Sequence, residues 1–355
     1  MDGTLNVLSE RVSALERELG LDWRYSYSRL HHLSGDRFRL ELSREEVIRR
    51  LADGVEGFTI GRSGPELLDL CASSGLTVAV RLLGSAGDTV LLVTSSVADL
   101  RREPDHAAEL LTQAIMGEEV TMLRRQGDWH LVRLRDGYHG WIRSWYLAEV
   151  PVGDVTAYRR RADRMVRANV GYILSGPESS SLPVSDVVAG TILAAGESVG
   201  AFRRVLLPGG RHGYIREEDL GGPVPRQPDR QRIVATAKRF IGIQYLWGGT
   251  SAKGFDCSGL VQRVFRMEGI ELPRDSDRQS MQGVLIAKDK LDDAIPGDLL
   301  FFGKPEPIDH VAIFLGDGTF IHAYGSVRIG SLDPGDERYE EKLAESLLFA
   351  RSVIR

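Results

Sequence analysis

The sequence is short of thiols. Two cysteines, Cys71 and Cys257, occur in 355 residues, which excludes a disulfide framework, and they form no closely spaced pair that would bind a structural metal. Also missing is any unbroken apolar run of about 18 residues, so no segment reads as a membrane-spanning helix. The opening segment, MDGTLNVLSERVSALEREL, has no basic stretch followed by an apolar one. It does not read as a signal peptide, and the expected location is the cytoplasm. Neither sign of charge dominates: the net charge of −5 gives no general attraction to nucleic acid or to an anionic membrane surface, so neither is an expected partner. No third histidine or carboxylate recurs at short ligand spacing, so no metal is expected, nor any other cofactor. What remains is ordinary for a globular protein, 42% hydrophobic and 27% charged, with a length that suggests two or three domains.

Leu5, Leu8, Val12, Leu15 and Leu19 recur at steps of three and four, an apolar stripe on one helix. At about two heptads the stripe is too short for a coiled coil and is expected to dock on its own domain. Phe38, Leu40 and Leu42 alternate with polar residues, as in a half-buried strand. Ser43 followed by Glu46 is a capping-box pattern that opens a helix to Ala52. Ser63-Gly64-Pro65 opens a further helical stretch that contains Cys71, and residues 76–83 and 88–97 read as strands joined by a Gly-Ser-Ala-Gly turn.

From about residue 95 to 222 short strands and turns alternate, the pattern of small barrels. An internal repeat lies here. The segment 139-HGWIRSWYL-147 matches 212-HGYIREEDL-220, and each follows an alternating strand and a glycine turn, so two copies of one small domain are expected. The arginine-rich run 159-RRRADRMVR-167 falls between the copies and reads as a solvated linker face. The proline-rich segment 222-GPVPRQPDR-230 reads as an interdomain linker, after which 231-QRIVATAKRFIG-242 turns helical.

The chemistry concentrates in the last third. In 254-GFDCSGLVQRVF-265, Val261, Val264 and Phe265 have helical spacing, which puts Cys257 in the first turn of a helix. There the helix dipole and the free N–H groups favour a thiolate. The approach, 248-GGTSAKGFD-256, holds three glycines and lets backbone come close to a ligand. Against this stands the ordinary role of a lone cysteine, which is to fill a core. A nucleophilic thiol needs an imidazole near it in space. His310 starts the apolar run Val311–Leu315, which ends at a Gly-Asp-Gly hairpin turn, and the return strand carries His322. Two such histidines on adjacent strands can meet, one to take the thiol proton and the other to orient it.

Six ordered motifs, 245-YLWGG-249, 256-DCSGLV-261, 273-PRDSDRQ-279, 296-PGDLLFF-302, 310-HVAIFLGDG-318 and 321-IHA-323, resemble the NlpC-type cell-wall cysteine peptidases, papain-like enzymes with a Cys-His-His triad. The two-copy region resembles the bacterial SH3-like domains often carried by such enzymes. The implied architecture is multidomain: an N-terminal α+β segment at 1–90, SH3-like β-barrels at 91–150 and 151–222, a linker at 223–230, and a papain-like α+β cysteine peptidase domain at 231–355. The resemblance covers residues 95 to 355, whereas residues 1–90 match only by their place in the order.

Carried over by motif, the resemblance implies Cys257 as nucleophile, His310 as general base and His322 as the orienting residue. The backbone N–H of Cys257 would help hold the oxyanion. The arrangement looks like the endopeptidases that cut murein peptides between γ-D-glutamate and a diamino acid, diaminopimelate or lysine. The implied partner is such a peptide with a free N-terminal L-Ala, met during peptidoglycan recycling. Its ammonium needs acidic or phenolic groups and its carboxylate needs donors. Tyr245, Asp256 and Asp275 stand in the matched motifs for the first task and Ser258 for the second, with Glu109 and Tyr138 of the first barrel closing the amine end. Asp256 also suits a helix cap, and Tyr245 plain packing. Two other readings share the sequence: an acyltransferase or amidase of the same fold, and a peptide-binding protein with an idle peptidase domain. The intact Cys257, His310 and His322 set speaks against the last. The sequence assigns no oligomeric state.

Overall fold

The computed structural model describes every residue except 1–2, 35–36, 53–54, 56–57, 65–66, 73–76, 83–89, 151, 305–307 and 355. The chain forms two compact units, Met1–Thr89 with Val120–His139, and Val90–Glu119 with Gly140–Arg355.

In the first unit the stripe of helix Gly3–Glu18 is buried at Leu5, Leu8, Val12 and Leu15, in one core with Leu40, Leu42, Val47, Leu51, Leu70, Val78 and Val80. The stripe thus docks on its own unit, each buried leucine contributing about 1.5–3 kcal/mol. Gly20 ends the helix at φ +61, with Leu21 N–H on the Glu16 carbonyl (2.7 Å) and Gly20 N–H on that of Arg17 (3.0 Å), a Schellman closure that needs the left-handed residue. Strand Arg37–Leu42 and helix Glu45–Ala52 form where the sequence expects them, but the Ser43 hydroxyl accepts from the Tyr27 N–H at 2.7 Å. One expectation fails. The stretch with Cys71 is strand, not helix: Phe58–Gly64 and Leu67–Ala72 pair antiparallel, with Leu70 and Ala72 buried on either side of exposed Cys71. Leu70 and Ala72 mark a period of two, which the helix-opening chemistry of Ser63-Gly64-Pro65 masked. The sheet runs Ser28–Ser34, Arg37–Leu42, Thr77–Leu82, Leu67–Ala72, Phe58–Gly64, and only the Arg37–Leu42 and Thr77–Leu82 pair is parallel. The expected turn at 84–87 lies outside the described residues. Residues 120–139 add the hairpin of strands Glu119–Gln126 and Trp129–Arg133.

In the second unit, 88–97 is not one strand. Val90–Val93 pairs with Leu147–Glu149, and after a break at Thr94–Ser96, Val97–Arg101 pairs with Leu110–Ile115. The internal repeat takes one shape twice: strand His139–Arg143 runs into the 3-10 turn Ser144–Tyr146, and strand His212–Arg216 into Glu217–Asp219. Residues 162–216 form a six-stranded antiparallel sheet around Val166, Ile173, Val187, Leu193, Val205 and Ile215. The arginine run is no linker. Arg159–Arg161 close helix Val152–Arg161, whose Val155 and Tyr158 are buried, and strand Ala162–Met165 follows at once. The arginines occupy the exposed side, where Arg159 pairs with Glu119.

The last third is built around helix Cys257–Met267 and an antiparallel sheet ordered Val284–Ala287, Leu347–Ser352, Leu299–Gly303, Ile308–Gly316, Thr319–Tyr324, Ser326–Ser331. Leu260, Val261, Val264 and Phe265 of the helix share a core with Val311, Ile313 and Ile321, while Ala312 and Phe314 join a second cluster with Leu300, Phe302 and Ala350. Strand Ile308–Gly316 is therefore covered on both faces, which explains its unbroken apolar run. The hairpin after it turns through Gly316, Asp317 and Gly318 at φ +99, +49 and +70, angles that glycine and aspartate accept most easily.

Candidate active site

Asp256 starts the site. Its carboxylate accepts the Gly259 N–H at 2.7 Å and so caps the helix whose first residue is Cys257. The cap leaves the N–H groups of the first turn outside the helical ladder, pointing out of its N-terminal end. The loop before it doubles back tightly. A Cβ on Gly259 would lie 2.1 Å from the Gly249 carbonyl oxygen, so only glycine lets helix and loop come together. Strand Leu110–Ile115 holds this loop from outside: Gln113 accepts from the Thr250 N–H (3.1 Å) and Ser251 hydroxyl (3.2 Å), and its carbonyl accepts from the Thr250 hydroxyl (3.0 Å).

The Cys257 thiol is buried in one core with Val311, the residue after His310, and the backbone N–H groups of Val311 and Ser258 favour its ionised form. Burial, and then the Asp256 charge, push the thiol up to about 12 despite those two N–H groups. Burial and the adjacent His322 ring push His310 down to about 3. Thiol and imidazole are thus both neutral at rest, contrary to the thiolate that the helix dipole alone suggests. The dipole, at about 0.3–2 kcal/mol, is outweighed by desolvation.

Nε2 of His310 lies 2.9 Å from Nδ1 of His322, the two rings edge to face. The pairing of the two histidines across the hairpin thus holds. Beyond it is a residue that sequence reasoning missed: His322 Nε2 lies 3.0 Å from Glu340, which also receives two hydrogen bonds of 3.1 Å from Arg328. Nothing in local spacing signals Glu340, which reaches the site from the loop after strand Ser326–Ser331.

The residues expected to hold substrate divide. Tyr245 packs against the core beside Cys257, and burial, with the nearby Cys257 and Asp256, pushes its phenol up to about 12, so it stays a hydrogen-bond donor. Asp256 is fully engaged. Besides the cap, it accepts from the Gly248 N–H (2.9 Å), the Ser258 hydroxyl (3.3 Å) and both Nη atoms of Arg274 (3.0 and 2.5 Å). Ser258 also accepts from Arg274, at 2.9 Å. Arg274, within the quoted PRDSDRQ motif but given no role there, is therefore the organiser of this corner. Asp275 is half-buried at the start of helix Ser276–Gln279. Glu109 reaches the loop before helix Cys257–Met267, accepting from the indole N–H of exposed Trp247 at 3.0 Å. Tyr138 belongs to the first unit, buried edge-on against Tyr25.

The chain is similar to known proteins. Residues 242–344 match the NlpC/P60 family, and residues 100–145 match the bacterial dipeptidyl-peptidase Sh3 domain. A γ-D-glutamyl-L-lysine dipeptidyl-peptidase of Bacillus cereus is 33% identical over 242 residues, 61% of this chain and 68% of that protein. Dipeptidyl-peptidase 6 of Lysinibacillus sphaericus is 28% identical over 74% of this chain and 99% of its own. The crystal structure of an NlpC/P60 family protein from Bacillus cereus, 27% identical, superposes with a TM-score of 0.66 over 75% of this chain and all of that one. The chain therefore belongs to the NlpC/P60 family and joins the domain of that name to a bacterial SH3 domain.

Proposed function

We propose that this protein is a cysteine peptidase that hydrolyses the γ-D-glutamyl-diamino acid bond of murein peptides with a free N-terminal L-Ala. The observation that carries the reading is the thiol at the head of helix Cys257–Met267, packed in one core with Val311, the residue after His310, whose ring lies 2.9 Å from that of His322. The relatives named for γ-D-glutamyl-L-lysine dipeptidyl-peptidase activity supply the bond.

In this reading His310 takes the Cys257 proton as sulfur attacks the γ-carbonyl. The oxyanion is held by N–H groups at the helix N-terminus, the Cys257 N–H among them. Collapse breaks the C–N bond and His310 returns the proton to the departing amine of the diamino acid. Water, deprotonated by the same imidazole, then hydrolyses the thioester and frees L-Ala-D-Glu. Since thiol and imidazole start neutral, the proton moves with the attack and not before it. Glu109, Tyr245 and Asp275 hold the ammonium end. Asp256 acts through Arg274 and Ser258, because its own oxygens are already taken. Residues 151–222 serve as a second SH3-like barrel.

The test is mass-spectrometric, with L-Ala-γ-D-Glu-L-Lys, its meso-diaminopimelate counterpart, the N-acetylated tripeptide and whole sacculi, and Cys257→Ala as control. Release of L-Ala-D-Glu from free tripeptides only, lost in the variant, is the expected result. Equal cleavage of blocked peptide or sacculi would remove the ammonium requirement. No cleavage at all would turn the reading to acyl transfer.

A further inference from the structure

Glu340 stands outside the Cys-His-His set, yet it belongs to the same chain of hydrogen bonds: His310 to His322 at 2.9 Å, His322 to Glu340 at 3.0 Å. We propose that Glu340, held by Arg328, is a positioning residue that sets the tautomers of both imidazoles, so that Nδ1 of His310 is left bare to take the Cys257 proton. The inference rests on the reading of Cys257 and His310 as nucleophile and base.

The argument is a count of protons. Burial alone would raise the Glu340 carboxyl, but hydrogen bonds from His322 and Arg328 outweigh it and hold the group down at about 2. An ionised carboxylate only accepts, so the His322 Nε2 facing it carries hydrogen. A neutral imidazole has a single N–H, which leaves His322 Nδ1 as an acceptor. The His310 Nε2 opposite must then donate, and with its one hydrogen placed there, His310 Nδ1 has a free lone pair. That nitrogen is the one still available to the thiol, which shares a core with the next residue, Val311. Each ring's orientation is fixed by its neighbours. Phe320 meets His322 edge-on at 5.1 Å, and Tyr324 lies nearly parallel to it at 6.3 Å.

Arg328 has two effects. It occupies both Glu340 oxygens, which stops the carboxylate from rotating. Its positive charge also offsets that of the carboxylate. Glu340→Gln is close in shape but has only one oxygen. Arg328, which can only donate, draws that oxygen and turns the amide NH₂ toward His322. His322 then shifts its hydrogen to Nδ1, His310 must accept at Nε2, and its own hydrogen moves to Nδ1, against the thiol.

Two measurements decide the proposal. Ring-nitrogen NMR of ¹⁵N-labelled protein at neutral pH should show His310 and His322 both as Nε2–H tautomers, with both moved to Nδ1–H in Glu340→Gln. In the same variant kcat on the free tripeptide should fall steeply with KM little changed, toward the roughly 10⁴-fold loss seen when a serine-peptidase triad has its tautomer reversed. Glu340→Asp, still an acceptor, should recover part of kcat. Wild-type His310 found protonated at Nδ1 overturns the proposal, even where Glu340→Gln does not fold. A folded Glu340→Gln with unchanged tautomers or unchanged kcat overturns it too. The NMR result stands without any substrate, so an enzyme that cleaves no murein peptide would sink the proposed reaction without touching the tautomer assignment.

Discussion

The guanidinium of Arg274, only 1% exposed, meets both carboxylate oxygens of Asp256, the residue that caps the helix beginning at Cys257. The same side chain donates to the Thr112 hydroxyl at 2.9 Å and to Ser258 at 2.9 Å. One buried cation thus ties the head of helix Cys257–Met267 to the strand Leu110–Ile115. It explains why Asp256 and Ser258 are geometric supports.

Arg274→Met should therefore destabilise the protein by about 3–5 kcal/mol, because it strands the Asp256 carboxylate in a buried site. Adding Asp256→Asn should give back part of that loss, a coupling of about 1–3 kcal/mol. Denaturant melts of the two single variants and the double variant measure it. Simple additivity of the two losses would show that the pair is not coupled.

The neutral resting site makes a kinetic prediction. With the thiol raised to about 12 by burial, alkylation of Cys257 by iodoacetamide in the absence of substrate should climb steadily with pH beyond the ordinary thiol range. His310, the proposed base, lowered to about 3, should keep the acid limb of kcat/KM below the ordinary imidazole range. Cys71 is exposed, so labelling must be read peptide by peptide. An alkylation rate already flat between pH 5 and 8 would mean an ion-paired thiolate, as the helix position alone suggests, and would overturn the neutral pair.

Much of this site was legible in the sequence. The period of Val261, Val264 and Phe265 puts Cys257 at a helix start, and the glycine-flanked Asp317 turn brings His310 and His322 onto facing strands; both are local patterns, and both form. Glu340 and the Arg274–Thr112 bond were not legible, since partners separated by 18 and 162 positions leave no spacing to read. The helix expected through Cys71 failed for a different reason. Ser63-Gly64-Pro65 has helix-opening chemistry, but the burial of Leu70 and Ala72 around Cys71 follows a strand, and the pairing partner supplied by Thr77–Leu82 decides it.

Gly259→Ala tests the closeness of helix and loop. The added Cβ would stand 2.1 Å from the Gly249 carbonyl and 2.9 Å from the Asp256 carboxylate, and neither backbone nor cap can yield cheaply. A loss of about 3 kcal/mol or more is expected, at the upper end for overpacking, with activity falling as the Cys257 turn shifts. A melt within 0.5 kcal/mol of wild type, about the scatter of a harmless surface change, would mean that the loop moves freely.

Glu109 is the test of the ammonium clamp. Its carboxylate receives the Trp247 indole N–H and the Arg102 guanidinium, which holds a negative charge at the edge of the loop carrying Tyr245. Glu109→Gln keeps a hydrogen-bond acceptor and removes the charge. The kcat/KM for the free tripeptide should drop about 10- to 100-fold, the worth of one charge-assisted hydrogen bond, while the slow rate on the N-acetylated peptide stays level. A parallel fall on both peptides would place Glu109 in holding the loop instead.

Stability should depend on acidity with a definite sign. His310 and His139 are both lowered by burial, to about 3 and about 4, so between those values and about 6.5 the unfolded chain binds protons that the folded one refuses. Stability must then rise with pH across that window and level off above it. Below about 4.5 a second loss begins: Glu340, held at about 2, and Glu118, lowered by Arg263 and Arg266 against its own burial, resist the protons that the unfolded chain takes up. Urea melts from pH 8 to 4 should therefore show midpoints falling from near pH 6.5 downward. His139→Gln should flatten only the share belonging to the first unit, and Glu118→Gln should remove part of the steepest limb. A midpoint constant from pH 8 to 5 would mean that neither histidine is held neutral, and with it the neutral His310 on which the catalytic argument turns would fail.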